Sequence, residues 1–224
     1  MDDDPQQLHS DLITDCVEVL SPLSIATSSL DRSIVLYDLK RKEVLRRFTK
    51  KHVTGVCHLR YMKDFGGMII STGFEIFANL WAPQNLFGNA HIGKLQGHRT
   101  PIVGLDIIPG RPFVYTIDET NEMIIWDVRS IQSLQTVPPP GKKEKLGHGI
   151  IAIAHDQVWV YGYRFITYKA QESWQDDVNE VVEKMDTSLP VNAFHNTFFG
   201  TIFVQTAQDL KIYSCLDGQL MVLH

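Results

Sequence analysis

The sequence repeats itself at an interval of about 44 residues. One aromatic residue near the end of a short β-prone run marks each repeat, at Tyr37, Trp81, Trp126, Tyr168 and Tyr213. Successive markers are 44, 45, 42 and 45 residues apart. An interval this regular restricts the chain to architectures built from copies of one supersecondary unit.

Each repeat contains several short strand-like segments separated by polar turns. His9, His52 and His98 precede the first three aromatic markers by 28, 29 and 28 residues. Two β-prone runs lie between each histidine and its aromatic residue, and a further run follows. The pattern predicts four strands per repeat and an all-β fold. Four-stranded units with a period of about 40–45 residues are typical of propeller blades.

The repeat also predicts how the chain is divided. We expect an acidic tail at 1–8, repeats at 9–51, 52–97 and 98–137, a Pro- and Lys-rich loop at 138–147, a degenerate repeat with an insertion at 148–188, and a second degenerate repeat at 189–224. Within 171–188 we favour a loop and a distorted outer strand, although Val178, Val181, Val182 and Met185 also have the spacing of a short helix.

The third repeat resembles the signature of the WD-repeat family, because Gly97-His98 is followed 28 residues later by Trp126-Asp127. The first repeat has Tyr37-Asp38 in place of Trp-Asp, and the second has Trp81 without the following Asp. The resemblance covers residues 9–224 and implies WD-repeat β-propeller blades, about five in number. It implies a scaffold for binding other proteins, without enzymatic activity or a cofactor.

A narrower resemblance is to WD-repeat proteins of cilia and flagella, including those that carry EF-hands. It rests on residues 71–75 (Ser-Thr-Gly-Phe-Glu), on Trp81 and on residues 95–98 (Leu-Gln-Gly-His). The sequence has no EF-hand loop of its own. This resemblance implies a place in a ciliary or other multiprotein complex.

The WD-repeat resemblance further implies a hydrogen-bonded chain in each blade, from the histidine through a strand Ser or Thr and a turn Asp to the aromatic residue. In the first repeat its members would be His9, Ser29 or Thr27, Asp31 and Tyr37.

In the third repeat His98 and Trp126 match, while Thr120 stands at the Asp position beside Asp118 and Glu119. The histidines could instead be catalytic bases or metal ligands. We favour the structural role, because no nucleophile recurs with them.

A basic run follows the first aromatic marker. Seven of the 21 basic residues fall within twelve positions: Lys40, Arg41, Lys42, Arg46, Arg47, Lys50 and Lys51. On the predicted outer strand such a run protects an exposed edge by its charge. The alternative is a patch for an acidic partner, or for nucleic acid in a chromatin-associated propeller. The sequence pI of about 6.0 and the lack of interleaved aromatic residues argue against nucleic acid.

Composition excludes several other classes of protein. The chain has 224 residues, a net charge of −5, 44% apolar and 21% charged residues, which suits a globular protein. It has no apolar run long enough for a membrane helix and no signal peptide, so we expect a cytoplasmic or ciliary protein without membrane contact. Its three cysteines are too scattered for a disulfide framework or a zinc site.

We find no catalytic motif, so an enzyme with a site at the mouth of the propeller channel is the less favoured alternative. Propellers typically have about four to eight blades. We expect the chain to be a segment of a longer one, whose further blades complete the ring. The other interpretations are a complete chain that closes an unusual ring or pairs with a second chain, and an incomplete gene model.

Overall fold

The computed structural model describes residues 7–138, 147–154, 157–162, 165–169, 179–183, 190–196, 201–206, 209–214 and 220–223. These residues form five four-stranded antiparallel sheets, and each sheet joins four strands that are consecutive in the sequence. The prediction of an all-β fold with about five four-stranded units is confirmed. In the described part of the chain, no helix is long and apolar enough to cross a bilayer.

The strands of the first two sheets are β1 (Ile13–Val19), β2 (Ser21–Ser29), β3 (Ile34–Asp38) and β4 (Glu43–Phe48), then β5 (Val56–Met62), β6 (Met68–Gly73), β7 (Phe77–Trp81) and β8 (His91–Gln96). Those of the third sheet are β9 (Ile102–Ile107), β10 (Phe113–Asp118), β11 (Met123–Asp127) and β12 (Gln132–Val137). The fourth sheet has β13 (Gly147–Ala154), β14 (Gln157–Gly162), β15 (Phe165–Lys169) and β16 (Asn179–Glu183). The fifth has β17 (Pro190–Asn196), β18 (Thr201–Thr206), β19 (Leu210–Ser214) and β20 (Leu220–Leu223).

The five aromatic markers occupy one equivalent position on the third strand of their sheets. Each lies opposite an aliphatic residue of the second strand, in the pairs Tyr37–Ile25, Trp81–Ile69, Trp126–Val114, Tyr168–Val158 and Tyr213–Ile202. The interval of about 44 residues is therefore the length of chain that builds one sheet and its connections.

Two segments singled out in the sequence are only partly described. Residues 139–146 of the predicted Pro- and Lys-rich loop lie outside the described residues, and β13 begins at Gly147. Within 171–188, residues 179–183 form β16 and pair with β15, so the helical alternative is wrong for them. The rest of that segment lies outside the described residues.

The chain forms two compact units, residues 1–97 and 98–224. The first unit contains the first two sheets, which pack on a shared core that includes Ile34, Leu36, Leu59, Ile69 and Trp81. Along β3 and β6 these positions lie on one face of the sheet, and Val35 and Ile70 on the opposite face are buried as well, so these inner strands are covered on both faces.

The first strands of the two sheets in the first unit, β1 and β5, point in the same direction. The Thr14 hydroxyl donates to the Val56 carbonyl at 2.6 Å, and the Asp15 carboxylate accepts from the Leu59 amide at 2.9 Å. Because β1 and β5 advance together, equivalent turns of the two sheets lie at the same end. We call the end with residues 10–13, 30–33, 49–55 and 74–76 the upper end, and the end with residues 20, 39–42, 63–67 and 82–90 the lower end.

Close backbone approaches occur at the upper end, one within the second sheet and one between the two sheets of the first unit. A Cβ atom added to Gly73 would lie 2.1 Å from the carbonyl oxygen of Gly55. A Cβ atom added to Gly55 would lie 2.9 Å from the Cα atom of Leu30. Both positions therefore require glycine for steric reasons.

The second unit contains the other three sheets. Its described core gathers large apolar side chains from β10, β11, β12 and β14, among them Tyr115, Ile117, Ile125, Val137 and Val158. The third sheet is described completely, and it holds a second group of interest, built around His98.

Candidate functional site

A buried histidine network fixes the upper end of the first sheet. The Nε2 atom of His9 lies 2.9 Å from the Thr27 hydroxyl, and its Nδ1 atom lies 3.0 Å from both the Asp31 carboxylate and the Ser33 hydroxyl. Thr27, rather than Ser29, therefore stands beside the histidine. The reason is position, since Ser29 lies two residues further on at the end of β2 and its hydroxyl accepts from the Asp31 amide at 3.0 Å.

The Asp31 carboxylate is held ionised by its donors. Burial opposes its ionisation, but hydrogen bonds from Ser33, Ser10 and His9 outweigh that effect and lower the pKa of Asp31 to about 2. At neutral pH the carboxylate orients the His9 ring and closes the turn between β2 and β3.

Tyr37 does not extend this network. It occupies the position of the tryptophans in the next two sheets, but its hydroxyl forms no hydrogen bond with the described residues. A phenol hydroxyl projects from the end of the ring, whereas an indole N–H projects from its side. The sequence expectation that Tyr37 replaces the tryptophan in the network is therefore wrong.

The second sheet has the complete chain of donors and acceptors. The indole N–H of Trp81 donates to the Ser71 hydroxyl at 2.8 Å, and that hydroxyl lies 2.8 Å from Nε2 of His52. The Nδ1–H of His52 donates to Glu75 at 2.8 Å. Glu75 also accepts from the amides of Val53 and Thr54, so one carboxylate fixes the chain just before β5.

A buried amide enlarges the second network. Asn79 is 0% exposed, and it occupies a β7 position that Val35 and Ile124 fill in the first and third sheets. Its amide nitrogen lies 3.2 Å from Nε2 of His52, and its amide oxygen accepts from Nε2 of His91 at 2.9 Å. Burial, followed by the charges of nearby lysines, lowers the pKa of His91.

The third sheet repeats the arrangement around His98. Trp126 donates to the Thr116 hydroxyl at 2.8 Å, and that hydroxyl lies 2.7 Å from Nε2 of His98. The Nδ1–H of His98 donates to Asp118 at 3.2 Å. Asp118, and not the position of Thr120, therefore supplies the acid, because Thr120 donates to Asp118 through both its amide and its hydroxyl.

Asp127, the Asp of the Trp-Asp pair, stands apart from this network. Its carboxylate accepts from the guanidinium group of Arg129, whose side chain is 62% exposed. The hydrogen bond from Arg129 is the main cause that lowers the pKa of Asp127.

The fourth and fifth sheets lack the hydroxyl of the network. At the positions equivalent to Thr116 they carry Val160 and Val204, two residues beyond the partners of Tyr168 and Tyr213. Val204 is fully buried, so an aliphatic side chain fills this place in the fifth sheet.

The side chains of His98, Asp118 and Glu122 offer ligand atoms within 4.8 Å of one another, as a metal site would require. Both ring nitrogens of His98 are already engaged, by Asp118 and by Thr116. Metal coordination needs a free lone pair on one of them. The same holds for the rings of His9 and His52, so these groups are suited to a structural role.

The basic run is divided by the strand on which it lies. Lys40, Arg41 and Lys42 form the turn before β4 at the lower end, whereas Lys50 and Lys51 follow β4 at the upper end. Six strand residues separate these groups by roughly 20 Å. The seven side chains therefore do not form one continuous patch.

Several arginines of the run also have partners within the first unit. The Arg46 guanidinium donates to the carbonyls of Asn85 and Gly88. Arg47 donates to the Ser33 hydroxyl at 3.4 Å, and Arg41 lies 3.5 Å from Glu43. Arg46 and Arg47 project to opposite faces of β4, as successive strand residues must.

Large apolar side chains are exposed at the upper end of the first unit. Val53 is 72%, Leu12 70% and Phe74 59% exposed, and Ile13 and Ile76 are exposed as well. The buried Glu75 carboxylate binds the Val53 amide, and Phe74 directly precedes Glu75 in the chain. The upper end thus presents exposed apolar side chains on a backbone that the buried Glu75 carboxylate holds in place.

No family model matches the sequence. The chain is 25% identical over 139 residues to Cilia- and flagella-associated protein 337 B of Tetrahymena thermophila, which covers 61% of this chain and 10% of that protein. It is 32% identical over 110 residues to Nuclear distribution protein nudF of Aspergillus flavus and of Aspergillus oryzae, which covers 47% of this chain and 23% of theirs. The chain therefore spans less than a quarter of these relatives.

Solved structures match over nearly the whole chain. The structure of U3-55K and the crystal structure of the RRP9 WD40 repeats each superpose with a TM-score of 0.82 at 14% identity, over 97% of this chain. The chain corresponds to 65% and 64% of those two. The likeness at this identity is one of fold, and it agrees with the five sheets and the repeated histidine networks. The chain therefore has the fold of WD40-repeat proteins, and the resemblance seen in its sequence is confirmed at the level of the fold.

Proposed function

We propose that the chain is a non-enzymatic scaffold that binds another protein through the upper end of its first unit. The observation that carries the proposal is the exposed apolar group formed by Leu12, Val53 and Phe74. Adjacent apolar residues on a surface mark interaction sites more often than isolated ones do.

The upper end is organised in advance for such contact. Glu75 holds the amides of Val53 and Thr54, and Asp31 holds the turn between β2 and β3. A backbone that is already ordered loses little entropy when a partner binds. Burial of a side chain such as Phe74 contributes about 1.5–3 kcal/mol.

Charge indicates the chemistry of the partner at this end. Lys50 and Lys51 follow β4, and Arg32 lies in the turn between β2 and β3. All three are exposed at the upper end. We expect a partner that offers apolar side chains flanked by carboxylates, since complementary charge steers the encounter.

The absence of enzymatic activity is part of the proposal. The buried rings of His9, His52 and His98 have both nitrogens engaged, so they are poorly suited to accept or deliver a proton. A general base needs a free lone pair within reach of its substrate.

We further propose that the scaffold acts in a ciliary complex. The similarity to the cilia- and flagella-associated protein of Tetrahymena covers 61% of this chain and supports the proposal. Imaging of the tagged endogenous chain tests it, and exclusion of the tag from cilia would contradict it.

The test of the binding site compares two variants of the full chain, expressed at the native level. Val53→Ser combined with Phe74→Ser removes the apolar group. Ile92→Ser is the matched control, because Ile92 is 45% exposed near the start of β8, at the opposite end of the strand from the upper end. Partners recovered with the wild type and the control, and identified by mass spectrometry, are expected to be lost with the double variant. An unchanged partner set at equal thermal stability would refute the upper end as the site.

A further inference from the structure

The connection between β7 and β8 at the lower end is fixed at several points. At its base the Ala82 amide donates to the Ala90 carbonyl at 2.8 Å, and within it the Asn85 amide donates to the Ala82 carbonyl at 3.1 Å. The Gln84 side chain donates to the Gly66 carbonyl at 3.0 Å, which joins the connection to the turn between β5 and β6. This connection is therefore an ordered surface feature.

Arg46 holds the tip of the same connection. Its guanidinium group donates to the Asn85 carbonyl and, at 2.5 Å, to the Gly88 carbonyl. Its Cζ atom also lies 5.3 Å from the centre of the Phe48 ring, which is buried. Arg46 therefore binds the backbone on both sides of residues 86–87 from the outer strand of the first sheet.

The two residues held in this way are apolar and face solvent. Phe87 is 93% exposed, the highest value among the large apolar residues in the described part of the chain, and Leu86 is exposed beside it. A mobile tip could carry such a residue at little cost. Here the backbone is fixed while the ring remains in water, which is the arrangement of an anchor residue before it enters a pocket.

The surroundings of the anchor are basic. The turns at the lower end carry Lys40, Arg41, Lys42 and Lys63 against a single acidic residue, Asp64, which gives these turns a net charge of +3. Arg41 pairs with the flanking Asp38 and Glu43. The ammonium groups of Lys40 and Lys42 form no ion pair with the described residues. Lys42 is four residues from Arg46, within about 13 Å along the strand.

We propose that the lower end of the first unit is a second docking surface, in which Phe87 inserts into an apolar pocket of a partner protein rimmed by carboxylates. The ring supplies the buried contact, and Lys40 and Lys42 face the acidic rim. This surface is separate from the upper end, so the proposal does not depend on the function proposed above.

The test places the photoreactive amino acid p-benzoylphenylalanine at position 87 of the full chain in its native cells. Position 92 on β8 receives the same amino acid as the control, and position 53 reports on the upper end. We expect irradiation to join position 87 to one other protein, and position 92 to none. Combining Lys40→Glu and Lys42→Glu is expected to reduce the amount of that cross-linked product at least about fivefold. The two glutamates would repel the carboxylates of the partner and slow the encounter.

The cross-linked protein then serves as the purified probe. Phe87→Ser is expected to weaken its binding to the full chain about thirtyfold or more, as loss of an anchor residue does. The thermal midpoint should stay unchanged, since the ring is already in water. Cross-links only to lipid, only to a second copy of this chain, or at the same level as position 92 would each overturn the proposal. An unchanged yield of the position-87 cross-link in the Lys40→Glu, Lys42→Glu variant would also overturn the proposal. The result for position 53 at the upper end does not affect this conclusion.

Discussion

Replacement of Asp118 by alanine tests the structural role of the histidine networks. The carboxylate of Asp118 is 1% exposed and accepts from His98 Nδ1, from the amide and hydroxyl of Thr120, and from the Glu122 amide. The Asp118→Ala variant leaves the His98 N–H without an acceptor in a buried site, which costs about 1–3 kcal/mol. The turn donors can bind water instead and lose about 1 kcal/mol between them. We therefore expect a total loss of about 3 kcal/mol.

Urea unfolding of the full chain, followed by circular dichroism, measures this loss. A slope of at most about 3 kcal/mol per M predicts that the midpoint falls by about 1 M or more. Asp127→Ala is the matched control in the same sheet, because its partner Arg129 is largely exposed. Asp127 is itself 7% exposed, but its side-chain donors in the described part of the chain all belong to the exposed Arg129 and can bind water instead, so the control midpoint should fall much less. Equal losses in the two variants would refute the reasoning.

The Asp118→Asn variant adds a test of the hydrogen-bond directions. Its amide oxygen can accept from the turn, but its amide N–H then faces His98 Nδ1. The His98 ring can then carry its proton on Nε2 instead of Nδ1. The Thr116 hydroxyl can accept a hydrogen bond from Nε2–H and donate its own to the Ile124 carbonyl at 3.3 Å. We expect a smaller loss than with alanine, and a nitrogen NMR signature of the changed tautomer. An unchanged tautomer would contradict the assigned directions.

Three further predictions concern other parts of the first unit. As pH falls from about 4 towards 2, the free energy of unfolding should decrease, because the pKa of Asp31 is about 2 in the folded chain and near 3.9 in the unfolded one. Its carboxylate stabilises the fold above the unfolded value, and Asp31→Asn should flatten this part of a urea-midpoint profile. Ser71→Ala should cost about 1–3 kcal/mol in a thermal melt, since it leaves the buried indole N–H of Trp81 without its acceptor, while His52 Nε2 keeps the Asn79 amide as a partner. Asn79→Val should cost less than about 1 kcal/mol, because the first and third sheets have aliphatic residues at this position, and a larger loss than that of Ser71→Ala would contradict the network. Gly73→Ala should reduce the folded yield or cost more than about 3 kcal/mol because of the 2.1 Å clash. Gly88→Ala, with a positive φ but open space around it, should cost about 1–2 kcal/mol.

The sheets could be predicted from the sequence because each aromatic marker takes the same place on its third strand. The spacing held even where Tyr168 and Tyr213 replaced tryptophan, since strand register tolerates either aromatic residue. The residues that supply the hydroxyl of each network could also be predicted from the sequence. Thr27, Ser71 and Thr116 each precede their aromatic marker by ten residues, a spacing as regular as that of the histidines.

The acids of the networks were harder to locate. Asp31, Glu75 and Asp118 follow their histidines by 22, 23 and 20 residues, because the intervening strands and turns differ in length. A carboxylate at the end of a turn reaches the histidine from more than one position. Only the folded turn decides which one does so.

The burial of Asn79 and the exposure of Phe87 could not be predicted from the pattern of apolar and polar residues. Asn79 reads as a polar residue that should face water, but it is buried because His52 and His91 bind its amide. The exposed Phe87 reads as a core residue, but its backbone is held at the surface by Arg46. In both cases a partner distant in sequence decides the environment.

The division of the basic run by β4 has a consequence for the unfolded chain. Before β4 forms, Lys40 to Lys51 is a continuous cationic peptide, and folding distributes its charges between two ends and fixes Arg46 on backbone carbonyls. The flexible peptide can turn all seven charges towards one polyanion such as heparin, whereas the folded strand holds them at two ends and on two faces. Ligands that prefer the unfolded state lower the apparent stability by mass action. We therefore expect heparin to lower the apparent stability of the first sheet through the same basic run that the fold divides.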